Sequence, residues 1–227
     1  MHRLLRSLVD FRTELAPRLK PLFKALAQSQ NPELLLVTCC DSRVMPHLFT
    51  GDEPGGVFTV RTVGNVVAPA GAGHLSTGDV SEAAAIEYAV DVLGIRDIAV
   101  CGHSNCGAMK AVADGRQGLV ERAPNLVEWL AHAEPAVERL KHSPFIDSAL
   151  PQTDRLSQAN VLVQLEHIAS YPLVRGRQRA GELKLHALWF DIEHTLVSMF
   201  EANRGRFVVL DEAEVTRLLA PAGDATQ

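Results

Sequence analysis

Three short apolar runs, separated by longer stretches of mixed character, constrain the fold of this chain most strongly. The runs cover residues 34–38, 57–60 and 98–101. A short continuous apolar run is typical of a strand that is buried on both faces of a parallel sheet. Between the second and third runs, residues 80–93 form helix-favouring sequence that Gly94 ends. The pattern predicts parallel strands joined by helical crossovers.

The remaining elements follow from the same reading of periodicity and of turn residues. We expect Ser76 or Thr77 to cap the helix over 80–93. Further helices are predicted at residues 107–113, at 125–140 with an irregularity at Pro135, and at 158–170. Further strands are predicted at 185–192 and 196–200, joined by a tight turn, and at 207–210.

The chain opens with apolar residues at helical spacing from Leu4 to Leu22, interrupted by Pro17 and Pro21. This pattern predicts an N-terminal arm of one or two amphipathic helices over residues 1–28, whose apolar stripe packs on its own core or on a partner subunit. Residues 220–227 are expected to fray. The whole predicts one domain over 1–227, of the α/β class. It has a mostly parallel central sheet with an antiparallel edge strand, flanked by helices.

Charge and composition exclude several classes of function. A net charge of −5 and a pI of about 6.0 do not fit a nucleic-acid-binding protein. No apolar run is long enough for a membrane span, and charges interrupt the first twelve residues, unlike a secretory signal. Four cysteines in such a chain favour metal binding or catalysis over disulfides, so we expect a cytoplasmic protein.

Two short segments hold residues suited to a catalytic zinc site. One is Cys39-Cys40-Asp41-Ser42-Arg43, directly after the first predicted strand, and the other is His103-Ser104-Asn105-Cys106, after the third. Zinc binds Cys sulfur and His nitrogen, and catalytic sites use three protein ligands with a fourth position open. Ligands of open α/β sheets gather at the carboxyl ends of parallel strands, where both segments fall.

Each motif also has a simpler interpretation. Cys101 lies inside a predicted strand and is expected to be a small core residue. Because Cys39 and Cys40 are adjacent, their side chains should point in different directions, and only one can face a metal. An isolated Asp-x-Arg is usually a surface ion pair, and an isolated His-x-x-Cys is a weak metal signal.

Taken together, the two segments resemble the pattern of the β-class carbonic anhydrases. That pattern is Cys-x-Asp-x-Arg after one strand and His-x-x-Cys after another, and the likeness extends from about Pro21 to Leu210. It includes the stretches at residues 61–65 and 84–90. Gln30, Phe58 and Tyr88 match the branch that contains the plant enzymes. The segments 22–27 and 101–109 are most similar to bacterial members associated with cyanate breakdown.

The resemblance implies a reaction and a set of roles. The activity is reversible hydration of carbon dioxide to bicarbonate and a proton by zinc-bound hydroxide, with one zinc per subunit held by Cys39, His103 and Cys106. Asp41 accepts a hydrogen bond from the reacting water, while Arg43 holds the carboxylate off the metal by a two-point contact. Without that contact Asp41 could become a fourth ligand and close the site.

The resemblance also implies a substrate pocket and an assembly. An apolar slot for carbon dioxide is expected from Phe58, Val63 and Tyr88, with polar contacts from Gln30 and the Gly107 N–H. The pocket is completed across a homodimer or a higher even-numbered homo-oligomer, in which the N-terminal arm wraps the partner. The expected partners are therefore the small-molecule substrate and further copies of the chain, with no nucleic acid and no membrane.

Two alternatives remain open from the sequence. Related proteins use the same zinc site to hydrolyse carbonyl sulfide or carbon disulfide, which is a second enzymatic reading. The second alternative is a structural zinc module with no catalysis. The family often has Ser where this chain has Cys40 and usually Asn where it has Thr62. Neither departure removes a ligand or the carboxylate.

Overall fold

The computed structural model describes residues 1–51, 53–143 and 146–220. Its described residues form one six-stranded sheet with helices around it, which confirms the predicted fold class. Along the sheet the strands follow the order β2-β1-β3-β4-β5-β6. Their bounds are β1 Leu34–Cys39, β2 Val57–Thr62, β3 Asp97–His103, β4 Lys184–Asp191, β5 Leu196–Glu201 and β6 Arg206–Val209.

The four strands β2, β1, β3 and β4 run parallel, and the two apolar runs in the middle are the most deeply buried. β1 pairs with β3 in the register Thr38 with Cys101, and with β2 in the register Cys39 with Thr62. Every residue of β3 after Asp97 is buried, as continuous apolar runs predict for inner parallel strands. β3 extends two residues beyond its predicted end, so His103 is the last residue of the strand.

The antiparallel edge is also confirmed. β5 turns back on β4, with Asp191 opposite Leu196, and β6 turns back on β5, with Glu201 opposite Arg206. Thr195, in the first of these turns, has a φ of 55°. Strands β4, β5 and β6 therefore form an antiparallel meander, with β6 at the edge of the sheet.

Ten α-helices are present in the described residues. Their bounds are α1 His2–Asp10, α2 Ala16–Leu26, α3 Pro46–Thr50, α4 Ser81–Glu87, α5 Gly107–Ala113, α6 Pro124–Ala131, α7 Pro135–Lys141, α8 Gln152–Ser170, α9 Pro172–Arg179 and α10 Glu212–Leu219. π-helical turns continue α1 into α2 over Phe11–Leu15 and extend α4 over Tyr88–Val92. The bounds of α5 match the prediction. Gly94, which comes after the π-helical turn that extends α4, has a φ of 69°.

A proline divides one predicted helix into two. The helix expected over 125–140 is two helices, and the expected irregularity at Pro135 is the start of the second one. Proline lacks an N–H and disfavours a helical conformation in the preceding residue, so it fits a first turn better than an interior.

The predicted cap of the helix over 80–93 was wrong. α4 begins at Ser81, after the N-cap residue Val80, and Asp79 accepts the Ser81 N–H at 2.7 Å. Ser76 instead pairs with Ala70 in an isolated bridge, and the Thr77 hydroxyl donates to the Pro69 carbonyl. Several residue types can serve near a helix start, and sequence alone did not decide among them.

Other helices were longer than predicted or were missed. α8 starts six residues before the expected Gln158, and α9 follows it directly at Pro172. The short α3 and the C-terminal α10 were not predicted. α10 has clear signals, since the Asp211 side chain accepts the Glu214 N–H and acidic residues fill the first turn.

The N-terminal arm forms as predicted but lies apart from the core. Across the described residues 2–26 none is buried. The apolar side chains of Leu4, Leu8 and Phe11 are 56%, 55% and 46% exposed. The arm therefore keeps its apolar stripe free within one chain. Of the predicted frayed tail, residues 221–227 lie outside the described residues.

Two of the core clusters lie on one face of the sheet, and a small third cluster around Leu36 and Ala99 lies on the other face against Phe49 of α3. One large cluster joins β1 and β3 to α4, α8 and α9, and a second joins α5, α6, α7 and α8 around Met109 and Leu130. α8 contributes to both and contacts β3 and β4. In the part of the chain that is described, no helix combines the length and the apolar character needed to cross a membrane.

Candidate metal centre

Three buried side chains converge at the carboxyl ends of β1 and β3. Cys39 is the last residue of β1, His103 is the last residue of β3, and Cys106 is the N-cap of α5. One ligand atom from each lies within 4.8 Å of the others. Because β1 and β3 are neighbouring parallel strands, their ends meet at one edge of the sheet, where ligands of such sheets bind.

The imidazole of His103 is oriented for metal binding. Its Nδ1 lies 2.9 Å from the Ser104 carbonyl oxygen, which can only accept, so Nδ1 carries the proton. The Nε2 atom then presents a lone pair, and it has no hydrogen-bond partner within the described residues although it is buried. A buried polar atom without a partner is rare, and a ligating histidine typically binds metal through the nitrogen opposite its hydrogen bond.

The donor set therefore fits a metal ion. Two sulfurs and one imidazole nitrogen are the ligands of zinc in several catalytic sites, and zinc accepts them in tetrahedral geometry. Each of the three residues is at most 5% exposed, so a bound ion would be held in the interior and not on the surface.

The Cys39 sulfur is surrounded by donors that favour its charged form. The backbone N–H groups of Asp41 and Gly64 each donate to it at 3.4 Å. A hydrogen bond from the Cys106 thiol, together with those from the two backbone N–H groups, lowers the pKa of Cys39 to about 4 despite burial. The same contact with Cys39 raises the pKa of Cys106, because one proton is shared between the two sulfurs.

Gly64 reaches Cys39 because it lacks a side chain. It has a φ of 75°, which is the left-handed region. A Cβ atom at this position would lie 2.8 Å from the Cβ of Ala108. Any other residue would therefore push apart the loop after β2 and helix α5, and would move the N–H away from the sulfur.

Asp41 lies beside the three ligand atoms and is held by Arg43. The guanidinium donates to Oδ1 at 2.9 Å and to Oδ2 at 2.7 Å, and the Arg43 backbone N–H donates to Oδ1 at 2.9 Å. These contacts hold the pKa of Asp41 well below its usual range. Arg43 is anchored in turn by the Asn105 carbonyl oxygen at 3.0 Å.

The carboxylate faces the cluster without joining it. Asp41 Oδ2 is 3.9 Å from His103 Nε2, and Asp41 is not among the side chains that converge within ligand distance. Arg43 occupies both carboxylate oxygens. The proposed role of Arg43, to keep Asp41 off the metal position, stays a prediction.

Arg61 organises the loop that carries these residues, and the sequence reasoning did not single it out. Its guanidinium donates to the carbonyl oxygens of Cys39, Asp41 and Val44 at 2.8 to 3.1 Å. Backbone carbonyls in an irregular loop need such partners. An arginine at the end of the strand beside Cys39 was a usable signal, because Thr62, the next residue, pairs with Cys39.

The other cysteines behave as expected. Cys40 is exposed, and its N–H pairs with the Thr62 carbonyl oxygen, so its side chain points away from Cys39. Cys101 is fully buried in β3, and burial raises its pKa to about 12. All four cysteines belong to the described residues and are free thiols.

The predicted pocket residues separate into two groups. Val63 and Gly107 lie next to the cluster, since Val63 directly follows β2 and Gly107 follows Cys106. Val63 is 41% exposed, and its carbonyl accepts the indole N–H of Trp129 at 2.9 Å. Both could line the space in front of the ligand atoms.

Gln30, Phe58 and Tyr88 lie away from the cluster of their own chain. Phe58 pairs with Leu35 near the start of β1, four residues before Cys39, which is about 13 Å along a strand. The rings of Phe58 and Tyr88 are 6.1 Å apart, and Tyr88 is 42% exposed. Gln30 is exposed and precedes β1 by four residues. One chain does not bring these three side chains to its own Cys39.

Comparison with known proteins identifies carbonic anhydrases among the relatives of this chain. The family model described as carbonic anhydrase matches residues 34–197. The carbonic anhydrase of Pseudomonas aeruginosa is 38% identical over 212 residues, which are 92% of this chain and 93% of that protein. The β-carbonic anhydrase CcaA has a similar structure, with a TM-score of 0.82 at 34% identity, covering 93% of this chain and 92% of that one. A tetrameric β-carbonic anhydrase of Sordaria macrospora gives a TM-score of 0.71 at 30% identity, over 88% and 96%.

Proposed function

Because this chain belongs to the carbonic anhydrase family, in its β class, we propose that it hydrates carbon dioxide reversibly at the carboxyl ends of β1 and β3. The products are bicarbonate and a proton. The observation that carries the proposal is the convergence of Cys39, His103 and Cys106 beside an Asp41 that Arg43 restrains. The relatives named above are carbonic anhydrases, which favours this reaction over hydrolysis of carbonyl sulfide or carbon disulfide.

The cofactor of the proposed reaction is one zinc ion per subunit, held by Cys39, His103 and Cys106. The support is the sulfur and nitrogen donor set together with the unpartnered Nε2 of His103. When bound, zinc supplies a Lewis acid that lowers the pKa of water toward neutrality. Three protein ligands leave a fourth position for the reactants.

Asp41 is the proposed catalytic carboxylate. With Oδ2 turned toward the cluster, 3.9 Å from His103 Nε2, it can accept a hydrogen bond from a reacting water beside the ligand atoms and orient the lone pair of that water toward carbon dioxide. Arg43 fixes the carboxylate by two parallel N–H contacts and keeps it ionised. If Asp41 left Arg43, its carboxylate could act as a fourth ligand, which is the closed state of the site.

The proposed substrate pocket draws on two chains. Val63 and the N–H of Gly107 belong to the chain that holds the metal, whereas Gln30, Phe58 and Tyr88 come from a second copy. Two facts support this assembly: the arm leaves its apolar stripe exposed, and the Sordaria relative is tetrameric. We therefore propose a homodimer or a higher even-numbered homo-oligomer. Free thiols throughout fit a cytoplasmic location.

The test is the substitution Asp41→Asn, which keeps the size of the side chain and removes its charge. We expect carbon dioxide hydration to fall by about a hundredfold or more, because a positioned general base contributes that much. Zinc content should stay at one per chain. Stopped-flow hydration and elemental analysis measure the two quantities.

Asp91→Asn is the matched control, since Asp91 is an exposed carboxylate on the turn after α4. It should leave both quantities unchanged. Full activity in Asp41→Asn with zinc retained would show that the carboxylate takes no part in the reaction and would refute its proposed catalytic role. Loss of zinc in that variant would place Asp41 among the ligands instead.

A further inference from the structure

One face of α8 is polar although it is buried. Asp154, Ser157, Asn160 and Gln164 follow one another at spacings of three, three and four residues, which places them along one side of a helix. They are 8%, 1%, 0% and 0% exposed. Each one hydrogen-bonds to the backbone of a segment that carries part of the metal centre.

The first half of this polar face contacts the segment after β3. Asp154 accepts the Asn105 N–H at 2.6 Å, and Asn105 in turn offers its carbonyl oxygen to Arg43. Ser157 donates to the carbonyl oxygen of His103 at 2.9 Å. These two side chains fix the backbone between His103 and Cys106.

The second half contacts the loop after β2. The Asn160 side-chain amide donates to the Gly64 carbonyl oxygen at 3.0 Å, and its Oδ1 accepts from Gln164 at 2.8 Å. Gln164 also accepts the Val67 N–H at 2.9 Å. Between them, the two amides hold Gly64 in the orientation in which its N–H donates to Cys39 Sγ at 3.4 Å.

Filling the core does not require polar side chains on this face of α8. The neighbouring α8 residues Leu156, Val161, Leu162 and Val163 pack into the apolar clusters, as the core of a helix usually does. A buried amide is favourable only when its partners are in place, so an apolar side chain at position 160 would be the simpler way to fill space. Groups that hydrogen-bond to the surroundings of metal ligands commonly set the orientation and donor strength of those ligands.

We propose that Asn160 is a positioning residue of the metal centre, acting through the Gly64 N–H on the electron density of the Cys39 sulfur. An N–H donor stabilises the sulfur lone pairs and weakens their donation to a bound ion. Asn160 reaches Gly64 with a single hydrogen bond from a helix that contributes no ligand. This proposal rests on the metal-binding role proposed above for Cys39.

The test uses Co²⁺ in place of zinc, because its sulfur-to-metal charge-transfer absorption reports the energy of the sulfur lone pairs. In Asn160→Leu, a substitution that keeps the branching and the number of side-chain heavy atoms, the Gly64 carbonyl loses its partner and the Gly64 N–H should turn from the sulfur. We expect the charge-transfer band to move to longer wavelength.

Leu162→Ala is the matched control on the same helix. Leu162 is 6% exposed in the large core cluster, so its truncation lowers the melting temperature by creating a cavity. It should leave the cobalt band at the position of the unmutated chain. A band that is unmoved in Asn160→Leu, or that moves equally in Leu162→Ala, overturns the proposal.

A measurement on the unmutated chain covers the case in which Asn160→Leu does not fold. With ¹¹³Cd at the centre and ¹⁵N-labelled protein, a scalar coupling between the metal and the Gly64 amide proton reports the N–H contact with the ligating sulfur. The coupling should be present, and its absence overturns the proposal. If neither Co²⁺ nor Cd²⁺ binds at all, the metal-binding role of Cys39 fails instead.

Discussion

The carboxyl ends and the amino ends of the parallel strands differ in how far the residues around them find contacts within one chain. At the carboxyl ends, the loop after Cys39 has its carbonyls bonded by Arg61, and Asp41 is bonded by Arg43. At the amino ends, Tyr88 is 42% exposed, and the arm that precedes β1 buries none of its described residues 2–26. The three ligand atoms therefore converge within a single chain, whereas the arm and Tyr88 keep apolar surface exposed, for which we propose a second chain as the partner.

The largest effect is expected when one of the proposed metal ligands is replaced. Cys39→Ser removes a sulfur from a centre that the rest of the chain has already arranged, so zinc content and hydration should both fall to background. Cys40→Ser changes the adjacent, exposed thiol and should leave both unchanged. Elemental analysis and stopped-flow hydration make the comparison. Loss of zinc in Cys40→Ser but not in Cys39→Ser would show that the sulfur ligand has been assigned to the wrong residue.

A second test acts on the arm alone. In Leu4→Asp/Leu8→Asp two charges enter the apolar stripe, and we expect the oligomer to dissociate, because burying an unpaired carboxylate in an apolar interface is costly. Hydration should fall tenfold or more while zinc stays bound. Sedimentation velocity gives the assembly state.

The matched control for the arm is His2→Asp/Thr13→Asp, which adds the same negative charges on the opposite side of the same helical segment. It should remain oligomeric and active. An unchanged assembly in the Leu4/Leu8 variant would mean that the stripe faces solvent in the functional protein.

The smallest effect is expected from a substitution in the pocket. This substitution tests most directly whether one pocket combines residues of two chains. Phe58→Ala should lower hydration about tenfold at constant zinc content, because it removes an apolar wall and no reacting group. Mixed with the inactive Cys39→Ser chain, it should regain activity, since a hybrid dimer holds one site with an intact metal centre and an intact Phe58. No recovery after subunit exchange would place Phe58 in the pocket of its own chain.

The metal centre could be anticipated because its signals are local. Cys39, Asp41 and Arg43 lie within five residues, and the apolar runs that precede Cys39 and His103 mark adjacent parallel strands whose ends must meet. The strands themselves were predicted within two residues of their ends. Apolar runs identify buried strands well because burial on both faces leaves no room for polar residues.

What the sequence could not supply depends on contacts distant along the chain. Asn160 and Gln164 read as ordinary polar residues in a helix until the fold places them against Gly64 and Val67, some 96 positions away. A low amphipathicity in a long helix, with polar residues repeating every three or four positions, was the available signal. Helix ends also depended on competing caps, as at Asp79, which local preference does not rank.

The register of β1 against β3 has a consequence for where the chain can change in length. Thr38 lies opposite Cys101, so the hydrogen-bonded ladder between the two strands sets the spacing of Cys39 and His103. Inserting one residue into either strand would turn every later side chain of that strand to the other face of the sheet and would separate the two donors. Insertions and deletions should therefore be tolerated only in the loops that join the strands.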